Sequence, residues 1–189
     1  MKKYELTEET TNIFGKTLHR IRATRDFSNV HAGDLGGFIE DERNLSHDEN
    51  AWVGDEAWVY GNALVYGNAR VGDEARVYGN ALVYGNAWVG GNAWVGDENA
   101  LVYGNARVGG NAWVGVEAWV YGNALVYGNA LVKGTRDIYW ISCIGSRDGT
   151  TTFFRNANNG ISVSCGCFYG TIDEFAAAVT KTHGDNEHA

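Results

Sequence analysis

Tryptophan and arginine recur in this chain at one spacing. Trp52, Arg70, Trp88 and Arg107 follow one another at 18, 18 and 19 residues, and Trp58, Arg76, Trp94 and Trp113 repeat that spacing six residues further on. An indole plate beside a guanidinium is what a nucleobase and a phosphate need, the first by stacking and the second by charge-assisted hydrogen bonds. The same two groups also stack on each other by cation–π attraction, in which case the columns only brace the fold. Both readings stand at this level. The loop Gly145-Ser146-Arg147, at the end of a strand candidate, has the makeup of an anion-binding loop and equally of a plain turn.

Other chemistry is thinly provided. The five histidines, His19, His31, His47, His183 and His188, all fall outside residues 51–135. Only His47 is a candidate general base, and a histidine on a surface loop is the commoner reading. Cys165-Gly166-Cys167 stands without the second pair that a zinc site needs. Period-two alternation puts Ile161, Val163, Cys165 and Cys167 on one strand face, so the thiols read as apolar packing under a helix. No metal or cofactor is expected.

The elements that must position these residues are units of six. From Ala51 to Thr135 the chain cycles through AWVGDE, AWVYGN, ALVYGN, ARVGDE and their variants, fourteen units with one extra residue, Asn99. This single cause underlies 26 Gly, no Pro and seven Trp. A period so short is a β-solenoid signature. Alternation turns each Ala and Val inward and the variable residue outward, while Gly and Asn tolerate the backbone of a corner. Three units wound into one coil bury the Val face, and every third unit belongs to one side. Asn99 is expected as a corner bulge, because the pattern resumes in register after it.

The pattern V-[YG]-[GD]-[NE]-A-x resembles the hexapeptide repeat of left-handed parallel β-helix proteins, a family with many acyltransferases and the γ-class carbonic anhydrases. The resemblance implies a mainly β fold with a left-handed coil of 18 residues. Family enzymes use a His near the acyl donor, or three His across a trimer interface for zinc, and the repeat here contains no His. An acyltransferase-like enzyme is therefore a residual reading. Around the helix of residues 33–135, residues 1–32 are expected to form a cap with a strand over Thr17–Ala23. Residues 136–189 read as a small α+β domain: three strands (Asp137–Ile144, Thr150–Arg155, Ile161–Phe168) and a helix capped by Thr171 and Glu174, with Ile172, Phe175, Ala176 and Val179 on its apolar face. The order DLGGFIE, NLS, solenoid, IGSRDG and CGCFYGTIDEF is similar to a group of phage and prophage proteins of largely unassigned function.

The outward positions set the expected partners. The third side carries Leu64, Leu82, Leu101 and Trp119 beside Tyr66, Tyr84, Tyr103 and Tyr121, an apolar stripe suited to self-association, and the family resemblance implies a homotrimer. A stacking ladder within one solenoid is the competing reading. A net charge of −8 argues against gripping bulk nucleic acid, and the lack of a long apolar run argues against a membrane span or secretory leader. The expected setting is the bacterial host cytoplasm. The expected function is a non-catalytic phage accessory protein that sequesters a small ligand, such as a nucleotide immune signal, and the alternative is a scaffold or protein-interaction module.

Overall fold

A computed structural model describes residues 2–145 and 147–184. Strands β1 (Tyr4–Ile13) and β2 (Lys16–Ala23) form an antiparallel hairpin, and β3 (Leu35–Ile39) joins β2 to the repeat by pairing in parallel with Trp58–Val59. Strand β1 was not expected. Its run of Thr and Glu has no apolar alternation, because it is an outermost strand held mainly by backbone bonds. Close approach of β3 to the first regular coil requires Gly37, where a β-carbon would stand 2.4 Å from the Ala57 carbonyl oxygen.

Each hexapeptide unit then supplies one two-residue strand, its x-Val pair, from β4 (Trp52–Val53) to β17 (Leu131–Val132). Each strand pairs in parallel with the one three units on. One ladder runs Trp52, Arg70, Trp88, Arg107, Leu125. A second runs Trp58, Arg76, Trp94, Trp113, Leu131, and a third Leu64, Leu82, Leu101, Trp119. The result is a β-solenoid of about five turns. No Ala or Val at the inward positions of the repeat is more than 2% exposed, so these columns form one continuous core; Val116, at a corner, is 43% exposed. Each buried Val contributes roughly 1.5–3 kcal/mol relative to exposure. Asn99 takes a left-handed backbone (φ 56°), and Leu82 still pairs with Leu101 across the extra residue.

Corners are held by amide ladders. Asn50, Asn68, Asn86, Asn105 and Asn123 are linked in series, each side-chain N–H donating to the next Oδ1 at 2.9–3.2 Å. At the first end of the core, the Tyr4 hydroxyl donates to the Leu45 carbonyl at 2.7 Å, and the buried Lys3 ammonium donates to the Ala51 carbonyl at 2.7 Å.

The other end is closed by four antiparallel strands, one more than expected: β18 (Ile138–Ile144), β19 (Gly149–Arg155), β20 (Ile161–Cys165) and β21 (Phe168–Thr171). The expected third strand is split by a turn at Gly166-Cys167, where Gly166 has φ +57° and Cys165 pairs with Phe168. Cys167 therefore lies exposed in the turn and not beneath a helix. Helix α1 (Ile172–His183) starts at the expected Thr171–Glu174 capping box. Its inner side carries Phe175, Ala178 and Val179, whereas Ile172 and Ala176 are exposed, because the sheet lies one step round from the expected face. The opposite face of the sheet presents Phe154 to the Ala/Val core, which it joins at 1% exposure. Among the described residues no helix is long and apolar enough to cross a membrane.

Candidate ligand-binding site

The two Trp/Arg columns lie on different sheets of the solenoid and have different environments. In the Trp58 column, the Arg76 guanidinium carbon sits 4.5 Å from the Trp58 ring and 4.7 Å from the Trp94 ring. Both guanidinium faces are thus occupied by the protein itself. Trp113 donates its indole N–H to the Tyr78 hydroxyl at 3.3 Å, and Tyr78 packs edge-on to Trp94. In this column the side chains pack on one another.

Arg70 does not stack in the same way. Its Nη2 donates to Oδ1 of Asn29, at the tip of a tight turn closed by reciprocal Phe27 and Val30 backbone bonds. Ser28, beside it, has a left-handed backbone (φ 47°). Trp52 is buried edge-on against Phe27, with ring centroids 5.5 Å apart, while Trp88 remains half-exposed. The capping loop thus converts one end of this column into a cavity of about 450 Å³, bordered by Ser28, Asn29, Trp52, Asp55, Arg70 and Trp88. Burial draws the Arg70 pKa down from its ordinary value, and the group stays a cation with a partly desolvated charge.

Of the residues singled out from the sequence, Trp52, Arg70 and Trp88 therefore come together. Arg107 is exposed on the next coil of the same ladder. Trp58, Arg76, Trp94 and Trp113 lie on a separate sheet, where Arg76 is stacked between Trp58 and Trp94. Arg147 is exposed in the turn between β18 and β19, and Ser146 lies outside the described residues. Asn29, Ser28 and Asp55 were missed. Asp55 stands at a repeat corner and reads only as turn chemistry, while Asn29 meets Arg70 across 41 residues of chain that no local pattern connects.

On the third side, Tyr66, Tyr84, Tyr103 and Tyr121 stack in series with centroids 4.9–5.0 Å apart. Trp140 ends the stack, edge-on to Tyr121 at 4.3 Å. Leu64, Leu82 and Leu101 are half-buried beside it, and Trp119 is 46% exposed. Trp119, Tyr121 and Tyr139 border a second cavity, of about 340 Å³.

His47 is part of the cap. Its Nδ1 accepts the Lys3 backbone N–H at 3.2 Å, its ring stacks on Tyr4 at 4.2 Å, and Nε2 is buried 3.9 Å from Glu42 Oε2 with no hydrogen-bond partner among the described residues. Burial lowers its pKa, which favours the neutral imidazole. Among the described residues no group of three or more His, Cys, Asp and Glu side chains gathers as a metal site.

Comparison with known families agrees with the ladders. Residues 57–73, 75–96, 100–115 and 118–134 match the family described as YdcK beta solenoid repeat. No curated protein matches the chain. With ladders of x-Val pairs, a continuous Ala/Val core and four matched repeat segments, the chain is a β-solenoid repeat protein.

Proposed function

We propose that this is a non-catalytic binding protein that holds a small nucleotide in the Arg70 cavity. The observation that carries the reading is the contrast between the two columns. Arg76 has both faces covered by indoles, whereas Arg70 borders a cavity with Trp88 beside it. A cation next to an aromatic face in a partly desolvated recess suits an anionic ring compound. The hexapeptide resemblance adds a left-handed, 18-residue coil and a homotrimer packed through the Leu/Tyr side. The likeness to phage proteins adds sequestration of a nucleotide immune signal in the host cytoplasm. Catalysis at His47 is disfavoured, because Nδ1 already accepts a backbone bond and Nε2 is buried.

Calorimetric titration of the protein with a panel of nucleotides tests this reading. Arg70→Ala is expected to lose binding with an unchanged assembly mass, while Arg76→Ala keeps it. Retention of binding by Arg70→Ala overturns the site.

A specific observation favours the second reading, a protein-interaction module: Tyr139 is 64% exposed beside Trp119 and Tyr121. Removing residues 136–189 is a poor test of it, since that would uncover the core that Phe154 closes. Trp119→Ser with Tyr139→Ser leaves the cap in place and is expected to abolish a protein contact on this face.

A further inference from the structure

The Arg70 cavity does not end at Asn29. A neighbouring cavity of about 320 Å³ shares residues with it and is bordered also by Val30, Asp34 and Leu35. Asn29, Trp52, Gly54, Asp55 and Arg70 border both recesses, and the hydrogen bond from Arg70 to Asn29 joins two of these shared residues. The carboxamide oxygen of Asn29 occupies a position on the guanidinium where an anionic oxygen would bind. A ligand that replaces it has both recesses beside it, as one groove.

Charge along that groove is uneven. Arg70 is the cation bordering both recesses, Asp55 carries a carboxylate at both, and Asp34 adds another to the second. Asp55 Oδ2 accepts the Asp73 backbone N–H at 3.1 Å, which fixes it in place. Nearby Lys3 is fully buried, bonded to the Ala51 and Asp48 carbonyls beneath Phe27, and borders neither recess. A negative group is therefore welcome at Arg70 and repelled on either side of it.

Building on the nucleotide reading, we infer that the groove takes a ligand with one central negative charge flanked by two ring moieties. That class is a phosphodiester-linked dinucleoside, whose phosphate displaces Asn29 from Arg70, and it excludes the polyphosphate nucleotides. Asn29 is the specificity-determining residue, because its carboxamide competes with the phosphate for the Nη2 edge of Arg70.

Titration calorimetry with the dinucleoside monophosphate ApA, AMP and ATP tests this on wild type, Asn29→Ala, Asn29→Asp and Arg70→Ala. Expected are binding of ApA at least tenfold tighter than ATP, tighter ApA binding by Asn29→Ala, and loss of binding in Asn29→Asp, whose carboxylate satisfies Arg70 permanently. Thermal melting of Asn29→Asp at or above the wild-type temperature shows that its loss is not unfolding. ATP binding tighter than ApA, with both lost in Arg70→Ala, overturns this inference and leaves the nucleotide site standing. No binding of any probe by wild type or Asn29→Ala overturns both.

Discussion

Trp88 lies over Gly90: a β-carbon built on that glycine would stand 2.2 Å from Cζ2 of the indole. The same fit recurs between Trp113 and Gly115, where the distance is also 2.2 Å. The alternation of AWVG with ALVY units is thus a packing rule on the outer face, a large ring beside a vacant position. Trp58-Val59-Tyr60 and Trp119-Val120-Tyr121 depart from the rule; Trp58 is half-buried and Trp119 is 46% exposed.

Gly90→Tyr, which fills the vacant position beside the ring, is expected to push Trp88 off its seat. Steric displacement of this kind costs about 1–3 kcal/mol. Urea denaturation measures the loss, and a red shift of tryptophan emission reports the exposed indole.

The amide ladder makes a graded prediction. Asn86 donates to Asn105 and accepts from Asn68, whereas Asn123 only accepts, from Asn105. Asn86→Ala is expected to cost about twice as much as Asn123→Ala, at roughly 0.5–1.5 kcal/mol per bond and toward the low end because the amides are exposed. Equal losses in chemical denaturation would contradict a role for the ladder in stability.

Phe154→Ala removes the ring that closes the core, and a loss of about 3–5 kcal/mol is expected. Hydrogen exchange locates the effect. The amides of β16 (Leu125–Val126) and β17, which β19 covers, lose protection first, while those near Trp52 keep theirs.

Alkaline pH separates two buried populations. Burial, with Arg25 and Arg70 nearby, lowers the Lys3 pKa from 10.5 to about 8. The folded state therefore binds fewer protons than the unfolded one between those values, so stability rises from pH 8 toward 10.5, by on the order of 3 kcal/mol at most. Burial raises the Tyr4, Tyr60, Tyr66, Tyr78 and Tyr103 pKa values, and their contribution is lost as pH climbs past the ordinary tyrosine value near 10. Stability measured against pH is expected to peak near pH 10, and Lys3→Met is expected to flatten the rising limb.

The solenoid was legible in the sequence because its information is local and repeated. Val83 and its equivalents declare an inward column, and the resumption of pattern at Leu101 places Asn99 at a corner before any coordinates are known. The cavity was legible only in part. Trp52, Arg70 and Trp88 share a ladder, but which column packs on itself and which is open depends on the Phe27–Val30 turn, a contact between distant segments. Treating two similar columns alike left both readings open for each arginine, and of the two only Arg76 lacks a capping loop that competes for it. The split of β20 from β21 was hidden because Gly166 falls inside an otherwise continuous alternation.

Native mass spectrometry of the intact protein, with Arg70→Ala alongside, tests most directly whether the Arg70 cavity is a ligand site on a self-assembled solenoid. Expected is a trimer carrying an adduct of nucleotide mass that is shed on denaturation and absent from Arg70→Ala. A monomer that takes up no nucleotide when one is added, or an adduct that survives in Arg70→Ala, would contradict it.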